Sequence, residues 1–296
     1  MKLHHLHALT AIAQHGSINA AARALCLSQP AITKTMRELE SEIGVPLLNR
    51  NSWGVTVTEE GRLLLERARV IVHEFERAER EMAVIRGRRA SSLRIGISPL
   101  AGLTVLPEAF VNFRLARPDV AVDLLQQDAM ALLDGLRTGY LDFALAGFSE
   151  VPSDPFILSK ALASYPGVFA IRRGSPLARS TSCAQLQDAE WLHADAGDAY
   201  PRYLEALFAR HGLPPPKRVT RCTSRVLIDA LMSHMDAVMP LSHITVQKRS
   251  LIADVQAMAL PEDPPSLNLC LMTRDGSIQS DSATYFIRCI HEAMAE

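Results

Sequence analysis

The chain has 296 residues, 48% of them hydrophobic and 21% charged, which exceeds one typical domain and is the make-up of a soluble globular protein with room for a sizeable core. A formal net charge of −1 excludes a generally basic nucleic-acid binder, and no run of 18 apolar residues is present to span a membrane. Five cysteines, an odd number with no C-x-x-C pair, argue against a disulfide framework or a zinc site and for a reducing compartment.

The net charge hides an asymmetry. Residues 1–58 carry five basic side chains (Lys2, Arg23, Lys34, Arg37, Arg50) against three acidic ones (Glu38, Glu40, Glu42), so a mildly basic head sits on an acidic body. Met1 to Thr10 contains three histidines and no long apolar core, so no export signal is expected and the protein is placed in the cytoplasm. His4, His5 and His7 are near neighbours on a helix and should not converge, so no metal site is expected there.

In chain order, Leu3, Leu6, Leu9 and Ile12 or Ala13 form one face of a first helix that Gly16 can close. Ser17 caps a second helix, kept thin by Ala20, Ala21, Ala22 and Ala24, and Cys26-Leu27 supply a turn. A third helix opens at Ser28 with Pro30 in its first turn, where a missing N–H costs nothing. Its apolar residues Ile32, Met36, Leu39 and Ile43 face inward, while Gln29, Thr33, Lys34 and Arg37 face out, able to donate to base edges and phosphates in a major groove. Periodicity alone leaves two readings open, a DNA-reading helix-turn-helix over about residues 18–37 or an ordinary three-helix knot.

Asn49 to Thr58 reads as a hairpin turning near Ser52 to Gly54, a wing with Arg50, Asn51 and Thr56 as polar candidates, or else a ribbon that merely covers the helices. Thr58 then caps a long helix with Glu59 and Glu60 in its first turn. Leu64, Ala68, Ile71, Phe75, Ala78, Met82 and Ile85 recur at four and three along it, a heptad seam for pairing with a twin over about 43 Å at 1.5 Å per residue. The alternative is a helix packed on its own domain.

Gly87 to Ser92 is a hinge by composition. Beyond it strands expected at 93–98, 121–126, 142–147, 165–172, 191–194, 218–222, 236–240 and 267–273 alternate with helices at 103–116, 130–137, 201–211, 224–234, 242–248 and 282–295. Such alternation implies a mainly parallel sheet covered on both faces. Ser149 to Pro155 and Pro261 to Ser266 interrupt it like paired crossings between two α/β lobes.

Enzyme motifs are missing. Gly96 to Gly102 displaces the second glycine of a nucleophile elbow by two, there is no phosphate-cradling loop, and His193, Asp195 and Asp198 lack metal-ligand spacing.

Gly16-Ser17, Ala21-Ala22, Leu25, Ser28-Gln29-Pro30-Ala31, Leu39-Glu40, Gly44, Leu47, Arg50, Thr58 and Gly61 keep the order and spacing of LysR-type transcriptional regulators, which the chain resembles. Looser matches are Leu136-x-x-Gly139-x-Leu141-Asp142-x-Ala144 and Arg172-Arg173-Gly174-Ser175-Pro176-Leu177. The departures are mild: Thr33 stands where Ser is usual, and Leu9 and Leu48 where Phe is common. The resemblance implies a winged helix-turn-helix (1–58) contacting DNA through Ser28, Gln29, Pro30, Thr33, Lys34, Arg37, Arg50 and Asn51, and a linker helix with hinge (59–90). It further implies a two-lobed, periplasmic-binding-protein-like α/β effector domain (91–296), with lobe one at about 91–160 and 266–296 and lobe two at about 161–265.

Partners so implied are an operator duplex, a small-molecule effector, a second or fourth copy of the chain as homodimer or homotetramer, and RNA polymerase; no cofactor and no membrane are expected. In such a domain the effector sits between lobes, where strand ends meet helix N-termini. Ser98, Pro99 and Gly102 in lobe one and Thr223 and Ser224 in lobe two are candidates for an organic carboxylate or sulfonate, with Gly147, Phe148 and His193 as further ones. Ser98, Thr223 and Ser224 are equally readable as helix caps. Two other readings stand beside this one: a redox-sensing regulator using Cys183, read as exposed, or Cys222, and a solute-binding protein without DNA function.

Overall fold

A computed structural model describes residues 1–51, 54–87, 91–194, 199–248 and 254–295, with Arg50 and Asn51 described in backbone only. The turn residues Ser52 and Trp53, the hinge residues 88–90, Asp195 and Asp198, and the side chains of Arg50 and Asn51 lie outside the described residues. The chain divides into two compact units, residues 1–92 with 135–141, and residues 93–134 with 142–296.

The first unit runs α1 (Leu3–His15), α2 (Ile18–Ala24), α3 (Gln29–Ile43), β1 (Leu48–Asn51), β2 (Gly54–Val57) and α4 (Glu59–Ile85). Its boundaries follow local chemistry. Gly16 takes φ +64° and returns its N–H to Ile12, and the Ser17 hydroxyl accepts from the Ala20 N–H. Cys26 adopts φ +54°, a left-handed turn that lets the Leu27 N–H reach the Ala22 carbonyl at 2.9 Å. The Ser28 hydroxyl caps α3 on the Ala31 N–H. Ile32, Met36 and Leu39 are fully buried against Leu6, Leu9 and Ile12. Ile43, expected on the same inward face, is 40% exposed because α3 ends there, at Gly44 with φ +85°.

Behind α3, the Glu40 carboxylate accepts the N–H groups of Leu47 and Leu48 at 2.9 and 3.1 Å, fixing the start of the antiparallel hairpin in which Leu48 pairs with Val57 and Asn51 with Gly54. Thr58 donates to the Pro46 carbonyl and accepts from the Gly61 N–H. A Cβ on Gly61 would lie 2.2 Å from the Leu47 carbonyl oxygen, so only glycine lets α4 enter here.

Helix α4 has 27 residues, about 40 Å at 1.5 Å per residue. Its buried residues are Gly61, Leu65, Ala68 and Val72, packed within the first unit. Ala68 therefore belongs to this intradomain face and not to the expected seam, and Leu64 is half-buried against the same cluster. The seam that stays open starts at Ile71: Ile71 and Phe75 are each 44% exposed, Met82 47% and Ile85 76%, with Ala78 exposed between them.

After the first unit's α4 the chain forms β3 (Ser92–Ile97), α5 (Pro99–Leu103), α6 (Leu106–Ala116), β4 (Ala121–Gln126), α7 (Ala129–Arg137, whose last residues fall in the first unit), β5 (Phe143–Phe148) and β6 (Ile157–Tyr165). It continues with β7 (Gly167–Arg172), β8 (Glu190–His193), α8 (Ala199–Arg210), β9 (Arg218–Arg221), α9 (Arg225–His234), β10 (Ala237–Ser242), α10 (His243–Gln247), β11 (Val255–Ala257), β12 (Leu267–Arg274) and α11 (Asp281–Ala293). Two five-stranded sheets result, ordered β4-β3-β5-β12-β6 and β11-β7-β10-β8-β9. Both are mixed, a correction to the mainly parallel expectation: β3 and β5 are parallel, but β12 runs antiparallel to β5 and β6. In the second sheet β10, β8 and β9 are parallel, while β7 is antiparallel to β10 and β11.

Several boundaries also move. The helix expected over 103–116 is two helices, broken at Thr104, whose hydroxyl bonds back to the Leu100 carbonyl at 2.8 Å, with Pro107 in the first turn of the second. The strand expected from Tyr165 is split at Pro166, and β6, a nine-residue partner of β12, precedes it. The first sheet thus continues through Tyr165, beyond the lobe boundary expected near 160. Of the two expected crossings, Ser149 to Pro155 is corrected: it joins β5 to β6 within the first sheet, and the chain leaves that sheet at Pro166-Gly167, opposite the returning segment near Pro264. A Cβ on Gly167 would meet the carbonyl oxygens of Pro264 and Pro265 at 2.3 and 2.5 Å, so the outgoing and returning strands of chain touch at a point only glycine allows.

Each sheet has its own aromatic core. Phe286 of α11 lies 4.6 Å from Phe113 and 5.6 Å from Phe143 in the first, and Trp191 meets Phe169 and Phe208 at 5.5 and 5.6 Å in the second, ring centre to ring centre.

Candidate functional site

The outer face of α3 is a polar surface of the first unit. With Ile32, Met36 and Leu39 committed to the core, Gln29, Pro30, Lys34 and Arg37 are left exposed and Thr33 half-buried, around an open concavity that continues to Glu38 and Glu42. Thr33 Oγ1 accepts from Gln29 Nε2 at 3.1 Å, which restrains the Gln29 amide along α3. A glutamine so held presents the donor and acceptor pair that matches adenine in a major groove. Lys34 is 79% exposed and lies 3.8 Å from Glu38, a weak exposed pair that phosphate can displace. Thr56 on the hairpin is exposed as well.

Beneath this face sits His5 of α1, buried, with its Nε2 3.8 Å from a Glu38 oxygen. Burial, reinforced by neighbouring His4, holds its pKa below the ordinary histidine value. The rings of His4 and His5 do converge, 4.4 Å apart edge to face, contrary to the expectation that they would diverge.

In the second unit the parallel pairs bring the candidate ligand residues together in two groups. Register Ile97↔Leu145 sets Ser98 beside Gly147, and the Ser98 hydroxyl accepts the Gly147 N–H at 2.9 Å. Ser98 heads α5 but makes no side-chain cap, so its role as a cap gives way to this cross-strand bond. Pro99 and Gly102 are exposed and Phe148 is half-buried. A Cβ on Gly147 would approach Leu100 to 2.7 Å, so the smallness of Gly147 keeps that strand end close to α5.

The second group follows from His193↔Arg221 pairing and a 2.8 Å bond from the Cys222 N–H to the His193 carbonyl, which put Thr223 and Ser224 just beyond that strand end. Both are exposed; Ser224 caps α9 on the Leu227 N–H. His193 is corrected: at 4% exposure, with its ring 5.1 Å from that of Tyr200, it is a core side chain of the second lobe, not an accessible donor.

Sequence reading passed over Gln127, whose N–H reaches the Ile97 carbonyl at 3.3 Å and whose Oε1 is buried without a hydrogen-bond partner among the described residues. Being the residue just after β4, adjacent to the Ser98 end of β3, is the signal that would have found it.

Cys183 also departs from expectation. It is buried, 2% exposed, in the Trp191 core, and burial raises its pKa, so the thiolate needed for oxidation chemistry is disfavoured. Cys222 is buried too. No helix among the described residues is long and apolar enough to cross a membrane.

Residues 3–62 match the bacterial regulatory helix-turn-helix protein, lysR family, and residues 86–295 match the LysR substrate binding domain. The transcriptional regulator GbpR of Azospirillum brasilense is 28% identical over 241 residues, 80% of this chain and 70% of GbpR. Among solved structures, CbnR, a LysR family transcriptional regulator, shares the fold with a TM-score of 0.68 at 22% identity over the whole of both chains. Full-length CbnR complexed with its target DNA gives 0.65 at 22% identity over 99% of this chain and 100% of that one. The chain therefore belongs to the LysR family: it is a DNA-binding transcriptional regulator with an effector-binding domain, and not an enzyme.

Proposed function

We propose that this regulator reads a two-half-site operator through α3 and its wing, pairs through α4, and answers to a small organic anion held by the second unit. The observation that carries the first part is the split of α3 into a sealed apolar face and an exposed face of Gln29, Lys34 and Arg37 with half-buried Thr33. In this reading Ser28, Gln29, Pro30 and Thr33 lie near bases, and Lys34, Arg37, Arg50 and Asn51 near phosphates or the minor groove. Residues 1–58 bind DNA, 59–90 link and pair, and 91–296 sense.

Pairing is supported by the open stripe Ile71, Phe75, Ala78, Met82 and Ile85, an apolar face that a lone chain leaves in water. A homodimer, or a tetramer made of two, places reading heads on successive half-sites. The effector contacts are Ser98, Pro99, Gly102, Gly147 and Phe148 from one lobe and Thr223 and Ser224 from the other, now joined by Gln127. Hydroxyls and helix-start N–H groups suit a carboxylate or sulfonate. The protein works in the cytoplasm, with RNA polymerase as the downstream partner, and effector binding shifts the population of lobe or subunit poses that set the spacing of the heads.

Two experiments test this. Sedimentation of the full chain at micromolar concentration gives a dimer or tetramer; a monomer there, or an assembly unchanged by Phe75→Glu with Met82→Glu, contradicts pairing through α4. A thermal-shift screen of carboxylates and sulfonates finds a stabilising compound, by linkage between binding and folding, and Ser224→Ala with Gln127→Ala weakens its effect. A stabiliser indifferent to both contradicts the placement of the site.

A further inference from the structure

We propose that His4, His5 and Glu38 form a binding site for a borderline divalent cation, of the zinc, cobalt or nickel class, in the first unit. One ligand atom from each of these residues lies within 4.8 Å of the other two. They come from two different helices, α1 and α3, so the fold and not chain proximity assembles them.

Independent of that proximity, His5 is buried, and its Nε2 has no hydrogen-bond partner among the described residues. The nitrogen points at Glu38 Oε2 from 3.8 Å, too far for a hydrogen bond and on the scale of two ligands flanking an ion. Tetrahedral bonds of about 2.0–2.2 Å hold ligand atoms roughly 3.3 Å apart, so closure asks for shifts of roughly an ångström. The side chains that must make them, His4 and Glu38, are both on the surface.

Two imidazoles and one carboxylate are the donor set of intermediate ions rather than of calcium or magnesium, with water completing the shell. The surroundings supply an outer partner. Binding through Nε2 puts the His5 proton on Nδ1, where Glu42 Oε2 lies 3.9 Å away; the long 3.4 Å contact from the Lys2 N–H is given up in exchange. The carboxylate recruited to the ion also lies 3.8 Å from Lys34, through its other oxygen, Oε1. His7 is not part of the group.

Zinc binding by the full chain, carrying no histidine tag and kept reduced with a phosphine, tests the site directly by competition with a chromophoric chelator. The expected result is one zinc per chain, weakened at least tenfold in His4→Ala and in Glu38→Gln and unchanged in His7→Ala. Both weakening variants alter exposed side chains, so they fold, and circular dichroism checks it. Cobalt in place of zinc gives a tetrahedral visible spectrum without thiolate charge-transfer bands. Absence of a stoichiometric zinc in the wild type, wild-type affinity in both His4→Ala and Glu38→Gln, or a thiolate signature overturns the proposal.

Discussion

The proposed reading helix and the proposed effector strand ends both offer polar side chains, but they use them differently. On α3 the folding work is done by Ile32, Met36 and Leu39 and the cap by Ser28, while Lys34 and Arg37 stand exposed, Lys34 in a weak surface pair with Glu38. At the strand ends of the second unit, Ser98 holds Gly147, Ser224 caps α9, and His193 is packed away against Tyr200. The lesson is that function on α3 is separable from stability, whereas in the effector domain a ligand would have to share groups already employed by the fold.

The comparison can be broken by substitution, in falling order of expected effect on stability. Met36→Ala empties a fully buried site on the inner face of α3 and should cost about 2–5 kcal/mol by urea unfolding; a change below about 1 kcal/mol would show that this face is not the core. Gly61→Ala drives a methyl into the Leu47 carbonyl and should cost about 1–3 kcal/mol or more, by displacing α4 from the hairpin. Ser98→Ala leaves the Gly147 N–H without its acceptor and should cost about 1–3 kcal/mol, with any effector response weakened as well, so that stability and sensing fall together. Arg37→Ala marks the other extreme: stability within about 0.5 kcal/mol of wild type, but weaker operator binding whose salt slope falls by about one. If Arg37→Ala destabilised the chain as much as Ser98→Ala does, the contrast between the two regions would be lost.

The first unit was largely legible because its signals are local. Gly16, Ser17, Ser28 and Thr58 each mark an element end by a cap or a left-handed turn, and all four act there. What sequence periodicity could not divide was α4, where two apolar stripes overlap: Ala68 fits the heptad seam but also the Leu65 and Val72 face that the fold buries.

In the second unit the losses have other causes. β6 escaped notice because it is an edge strand, Ile157 to Tyr165, whose Ser159, Lys160 and Ser164 blur the alternation, and only pairing with β12 defines it. β11 is three residues long, too short for a period. Cys183 sits among serines and looks exposed, yet a 3-10 turn tucks it under Trp191. Of the candidate ligand residues, the strand-end rule named Ser98, Gly147 and Ser224, which do lie at strand ends; it could not tell which way His193 points, because successive strand residues alternate faces and register decides between them.

The central claim, that the exposed face of α3 reads sequence, is tested most directly by selecting duplexes from a random library with the full chain and measuring their affinity by fluorescence anisotropy against salt. The account predicts that Gln29→Ala relaxes base preference at one position of each half-site while largely keeping the salt slope, and that Lys34→Ala and Arg37→Ala weaken binding across all sequences with a smaller slope. Selection of the same duplexes, with the same affinity and slope, by a chain carrying all three substitutions would contradict it.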